Sequence, residues 1–153
     1  MGEWCNSRDL LNKDHLIASY NLTSINDAKN TNKYLYITYK KFILILFKKL
    51  NKKLNLNKDL IFWEILIGDW LWNFISILFD RYNSLKKAFS NYDIKEITIF
   101  KNTYSTYNYL EFYNLNQNDH FNHIIFSELL RSIKLKKNIK INELDNDIND
   151  LKK

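Results

Sequence analysis

Residues 60–82, LIFWEILIGDWLWNFISILFDRY, carry the strongest structural signal in the chain. Apolar residues surround most of a helix drawn through this run at 100° per residue, and polar residues are confined to one narrow stripe. The stripe consists of Asp69, Asn73, Ser76 and Asp80. Asp59 stands where an N-cap is expected. The pattern predicts a long helix over residues 60–89 that is buried against several neighbours.

A run of this length could also span a membrane, since about 20 apolar residues cross the hydrocarbon core. Its Leu, Ile and Phe residues would contribute on the order of −5 kcal/mol to insertion. Glu64 and Asp69 would each cost about 2.5 kcal/mol or more, and Asn73 adds to that cost. The balance favours a soluble core helix, with peripheral membrane contact left open.

Residues 33–54 form a second helical pattern, with apolar positions on one broad face. That face consists of Leu35, Tyr39, Phe42, Ile43, Leu46, Phe47, Leu50 and Leu54. Three lysine pairs lie mostly opposite it: Lys40/Lys41, Lys48/Lys49 and Lys52/Lys53. We expect a surface helix with a solvated lysine side. A basic amphipathic helix resting on anionic lipid is the alternative.

The rest of the chain shows weaker patterns. Residues before 33 predict loops and a short helix. We then expect a strand over residues 94–100, a loop over 101–106, a helical turn over 109–113 and, after a break at 114–118, an amphipathic helix capped by Asp119. A single strand cannot make a sheet, so its partner would come from a larger chain or an oligomer. Residues 131–153 form a charged tail that is expected to fray.

Composition limits the function classes. The chain has 153 residues, of which 46% are hydrophobic and 16% aromatic, so it is not disordered. Its net charge of +6 comes from 23 basic residues of which 20 are lysine, which argues against specific nucleic-acid recognition by arginine. Cys5 is the single cysteine, and the first 15 residues hold no apolar signal-peptide segment. We therefore expect a cytoplasmic protein, with a location at the inner face of the membrane left open.

Familiar catalytic signatures are absent from the sequence. Its two glycines, Gly2 and Gly68, cannot make a glycine-rich phosphate loop, and no G-x-S-x-G elbow occurs. His120 and His123 beside Asp119 have helical spacing that could hold a metal, but the segment lacks a fourth ligand. We predict no metal and no cofactor.

Three short clusters do suggest chemistry. They are Gly2-Glu3-Trp4-Cys5, residues 63–71 running on to Phe79-Asp80-Arg81-Tyr82, and Asp119-x-x-Asn122 leading into Phe126-Ser127. Arg81 ends a very apolar run, where an isolated ion is costly. It could clamp a phosphate or carboxylate, or pair with Asp80, Asp69 or Glu64.

Together these clusters resemble the N-terminal region of a family of bacterial transferases encoded with capsule, O-antigen and related surface-carbohydrate genes. The family has a G-E-W-C segment after a first strand, then a helix of the type R-Y-W-x-I-L-x-G-P-W-L, then D-R-Y and a D-x-x-N helix. The order and separations are similar here over residues 2–130. Asp69 replaces the family's proline, Ile61-Phe62 replaces its R-Y, and the first strand is missing.

The resemblance implies an α/β, helix-dominated fold: part of a Rossmann-like lobe of the GT-B kind, with a long buried central helix and one or two strands. Residues 1–130 would form a partial N-terminal domain, inactive alone. A C-terminal lobe or an adjacent-gene product would bind the activated-sugar donor. By this resemblance Glu3 and Asp80 are catalytic candidates, and Trp4, Arg81, Asp119 and Asn122 are substrate-binding candidates. A non-enzymatic helical protein that docks on a membrane or partner is the alternative, and a decaying gene remnant is a third possibility.

Overall fold

The computed structural model describes residues 24–106, 108–133 and 139–145. Their elements are α1 (Ile25–Leu54), α2 (Leu60–Asn91), β1 (Glu96–Phe100), α3 (Tyr109–Leu115), α4 (Asp119–Ser132) and β2 (Lys140–Leu144). The predicted helix-dominated α/β fold is confirmed. The described residues divide into a hairpin unit, up to Asp80, and a sheet unit, from Arg81 onward. The boundary falls inside α2.

Helix α1 begins eight residues before the predicted start. The Ser24 hydroxyl accepts a hydrogen bond from the Asp27 amide at 3.1 Å, which caps the first turn. The polar, Asn-rich residues that follow show no apolar period, so periodicity alone missed these turns. The helix ends at Leu54, and its C-cap is Asn55, whose left-handed backbone, with φ of 53°, is tolerated by asparagine.

In the hairpin unit, α1 and the first part of α2 run antiparallel. Tyr39 meets Trp72 edge-on with ring centroids 6.0 Å apart, and the Tyr34 and Phe79 rings lie 5.2 Å apart. The buried residues Leu35, Ile43, Trp63 and Leu71 come from the apolar faces of the two helices. The predicted face of α1 thus includes its buried residues, although Phe42 and Leu54 on that face are exposed.

Helix α2 starts where it was predicted to start, but its first turns are less buried than predicted. The Asp59 carboxylate accepts a hydrogen bond from the Phe62 amide at 2.8 Å, so the predicted cap is confirmed. In the first two turns, however, Ile61, Ile65 and Leu66 are 64%, 81% and 61% exposed. Burial around the whole circumference was therefore a wrong prediction there. By length and composition alone, α2 could cross a membrane.

The sheet unit holds two parallel strands, β1 and β2, paired from Glu96 with Lys140 to Phe100 with Leu144. Helices α3 and α4 lie between them in the chain, which suits the long connection that parallel strands need. Strand β2 lies in the tail that was expected to fray, so that expectation is wrong for residues 140–144. The partner of β1 comes from this chain. Four of the five β2 residues are exposed, which explains the weak sequence signal.

Helix α4 packs on β1. Ser127 of α4 is buried, and its hydroxyl accepts from the Phe100 amide at 3.0 Å and donates to the His123 carbonyl at 2.7 Å. The cap of α4 is Asn118, which accepts from the Phe121 amide at 3.0 Å, and not Asp119 as predicted. Asp119 is the first residue of the helix, where the positive N-terminal end of the helix dipole stabilises a negative charge.

Candidate functional site

The structure brings two of the predicted site residues together in the sheet unit. Arg81 of α2 donates two hydrogen bonds, from Nε at 3.1 Å and from Nη2 at 3.0 Å, to the side-chain oxygen of Asn122 in α4. The two residues are 41 positions apart in sequence. The amide oxygen is a neutral acceptor, and the two hydrogen bonds orient the guanidinium.

Asn122 is itself fixed by the backbone on its other side. Its side-chain nitrogen donates to the Asn116 and Asn118 carbonyl oxygens, both at 3.0 Å, in the turn between α3 and α4. The residue is 4% exposed. Two carbonyls require the amide nitrogen and a guanidinium requires the amide oxygen, so the contacts dictate which way the amide points. The α3–α4 turn thereby determines where Arg81 is held.

The two carboxylates predicted beside this pair are placed differently. Asp80 is half-buried and precedes Arg81 in α2, so the two side chains leave the helix about 100° apart. Asp119 is exposed in the first turn of α4, three residues before Asn122. The catalytic role of Asp80 and the substrate-binding role of Asp119 stay predictions.

The remaining two candidates, Glu3 and Trp4, lie outside the described residues, as does the whole G-E-W-C segment. Glu64, considered as a partner of Arg81, has its carboxylate 2.8 Å from the Lys40 ammonium in the hairpin unit. That hydrogen bond raises the pKa of Lys40, and the partial burial of Lys40 opposes the rise.

The two histidines of α4 lie against β1. Both rings pack on Phe100, with centroid distances of 4.5 Å for His120 and 4.1 Å for His123. His123 Nε2 lies 3.1 Å from the Thr98 carbonyl oxygen. Both are half-buried helix residues, as the sequence indicated. Within the described ranges, no three His, Cys, Asp or Glu side chains are grouped as metal ligands would be.

Sequence reasoning missed one further cation at the carboxyl end of β1. Arg131, in the last turn of α4, donates to the Phe100 and Lys101 carbonyl oxygens and pairs with Glu128. Its spacing of three from Glu128 on a helix was the available signal. Because these partners are backbone carbonyls at the strand end, Arg131 fastens α4 to β1.

A helix-dominated α/β unit with an amide-held arginine is compatible with a group-transfer enzyme. Over residues 1–153 the chain matches the family described as LIC12162 family transferase, and it belongs to that family. The predicted membership of a transferase family is thereby confirmed. Comparisons with curated proteins and with solved structures gave no match.

Proposed function

We propose that this chain is part of an enzyme that moves a sugar or related group from an activated donor to a bacterial surface-glycan precursor. The observation that carries the proposal is the transferase family match along the whole chain. The surface-glycan role rests on the resemblance of the residue clusters around Trp63, Arg81 and Asn122 to transferases encoded with capsule and O-antigen genes.

Within this enzyme, Arg81 binds an anionic group of the substrate, a phosphate or a carboxylate. Planar guanidinium groups recognise such groups through paired hydrogen bonds. An arginine side chain has many rotamers, and ordering it on binding would reduce affinity. The two hydrogen bonds to Asn122 support the assignment, because they order the guanidinium in advance.

The other site candidates take supporting roles in the proposal. Asp119 binds substrate at the start of α4, and Asp80 is the catalytic candidate that orients Arg81. Glu3 is proposed as a base or acceptor-binding carboxylate and Trp4 as a substrate-binding residue. The activated-sugar donor is bound by a C-terminal lobe or by an adjacent-gene product, and the enzyme works in the cytoplasm.

Deletion of the gene in its bacterial host tests the function. Surface polysaccharide is extracted from the wild type, the deletion strain and a strain complemented with the wild-type gene, and compared by gel electrophoresis and sugar analysis. We expect the deletion strain to lose the polymer or to make it shortened or altered in composition, and complementation to restore it. An unchanged polymer in the deletion strain would contradict the proposal.

A further inference from the structure

The end of the hairpin unit exposes six large apolar side chains. We call residues 48–66 the hairpin tip: the last turns of α1, the connecting loop and the first two turns of α2. Its exposed apolar residues are Leu54, Leu56, Ile61, Phe62, Ile65 and Leu66. The last four lie on α2 at positions 61, 62, 65 and 66, so they share one face of the helix. That face lies opposite the buried residues Trp63 and Leu71.

The same tip is strongly basic. It carries five lysines, all exposed: Lys48, Lys49, Lys52, Lys53 and Lys58. Its two acidic side chains already have partners, since Asp59 caps α2 and Glu64 pairs with Lys40. The Lys58 ammonium lies 5.3 Å from the centre of the Phe62 ring, which places a positive charge directly beside the apolar face.

We propose that the hairpin tip docks the protein onto the surface of an anionic lipid bilayer. Apolar side chains on a helix enter the boundary between headgroups and acyl chains, while neighbouring lysines contact lipid phosphates. Charge complementarity favours this occupant over a protein, because the buried centres of protein interfaces are depleted in lysine.

The position of Asp69 limits how deep the tip can enter. Asp69 is exposed and follows Ile65 by four residues, so it lies on the same face one turn further along α2. A carboxylate is costly in the hydrocarbon region. The docked segment therefore ends near Leu66, and α2 meets the bilayer surface without crossing it.

Vesicle flotation of the full chain tests the proposal. Vesicles of phosphatidylglycerol mixed with phosphatidylcholine are compared with pure phosphatidylcholine vesicles, at about 0.1 M and about 1 M salt. We expect binding to the anionic vesicles at low salt, and loss of that binding at high salt. The paired substitutions Ile65→Asp with Leu66→Asp, and the triple substitution of Lys52, Lys53 and Lys58 by Gln, should each weaken binding by about tenfold or more.

Matched controls come from the opposite end of the hairpin. Ile25→Asp changes an equally exposed apolar residue there, and Lys29→Gln with Lys33→Gln removes two exposed lysines. Both controls should float like the wild type, and circular dichroism checks that every variant is folded. Absence of binding to anionic vesicles would overturn the proposal, as would equal losses in the tip and control variants. A folded chain that binds a protein partner through the tip but no vesicles would also overturn it.

Discussion

At the scale of single residues, the sequence identified Arg81 and Asn122 but not their contact. The sequence left two kinds of partner open for Arg81, a bound phosphate or carboxylate and the side chains of Asp80, Asp69 or Glu64, because opposite charge is the simplest way to hold an ion near an apolar run. A neutral amide 41 residues away gives no such signal. It becomes a partner because the α3–α4 turn takes up both of its N–H groups and leaves its oxygen for the guanidinium.

Removing this amide should destabilise the sheet unit. Asn122→Ala removes the hydrogen bonds that this buried side chain makes to the Asn116 and Asn118 carbonyls and to the Arg81 guanidinium, although the Asn118 carbonyl still accepts from the backbone amide of residue 122. Because each unsatisfied buried group costs about 1–3 kcal/mol, we expect the free energy of unfolding to fall by about 2–4 kcal/mol. Urea unfolding followed by circular dichroism measures the change.

Asn114→Ala is the matched control for this substitution. Asn114 is exposed in α3, and alanine suits a helix at least as well. Its effect should stay within about 0.5 kcal/mol. Equal effects of the two substitutions would mean that Asn122 does not hold the turn.

At the scale of elements, the sequence predicted those features that leave a local or periodic pattern in it. The cap at Asp59, the long helix α2 and the apolar face of α4 all follow from local patterns. The start of α1 and strand β2 were missed, because polar first turns and a mostly exposed strand carry little hydrophobic period. The exposure of Ile65 was mispredicted, since an apolar face looks the same in sequence whether or not the chain covers it.

The contact between α1 and α2 has a specific steric requirement at Gly68. A Cβ atom there would lie 2.7 Å from the Tyr39 hydroxyl oxygen but 3.8 Å from the ring carbon that carries it. Alanine favours a helix over glycine by about 1 kcal/mol, so two effects oppose each other in Gly68→Ala. Removing the hydroxyl by Tyr39→Phe should let the helix-forming effect dominate.

We therefore expect Gly68→Ala to be more stabilising in the Tyr39→Phe background than in the wild type. The coupling should be on the order of 0.5–1 kcal/mol in a double-mutant cycle. Thermal unfolding of the four proteins measures it. Strict additivity would show that the hydroxyl does not limit this helix contact.

The pairing of β1 with β2 should be sensitive to acid. Glu96 of β1 contacts Asn142 and Lys140 of β2, with 3.2 Å between its carboxylate and the lysine ammonium. The hydrogen bond from Asn142, then the interaction with Lys140, lowers the pKa of Glu96 below its ordinary value of 4.5. The folded state thus binds this proton less readily than the unfolded state. The stabilisation is present above the unfolded pKa and is lost as the pH falls through the folded pKa.

Stability measured between about pH 5 and about pH 3 tests this linkage. The free energy of unfolding of the wild type should fall more steeply than that of Glu96→Gln, because glutamine cannot take up the proton. Glu143→Gln, which changes an exposed carboxylate in β2, is the control, and its free energy of unfolding should fall with pH as steeply as that of the wild type. Parallel slopes for wild type and Glu96→Gln would refute the assignment.

At the scale of the whole molecule, motif order predicted the transferase family more readily than any single residue did. Widely separated clusters define a family because their order and spacing record one chain topology, whereas each cluster alone is common. The Rossmann-like lobe and the roles of Glu3 and Trp4 stay predictions. The roles of Glu3 and Trp4 concern the N-terminal segment, which lies outside the described residues. The Rossmann-like lobe concerns the proposed donor-binding part of the enzyme, about which local patterns within residues 24–145 say nothing.

The proposed role of Arg81 is to recognise an anionic group in a surface-glycan transferase. Its most direct test is complementation of the gene-deletion host with Arg81→Lys and Arg81→Ala, at protein levels matched by immunoblot. Lysine keeps the charge but lacks the planar fork, so both variants should fail to restore the polysaccharide. Lys86→Ala, which removes an exposed cation from the same helix, should restore it. Full restoration by Arg81→Ala at wild-type protein level would contradict this role of Arg81.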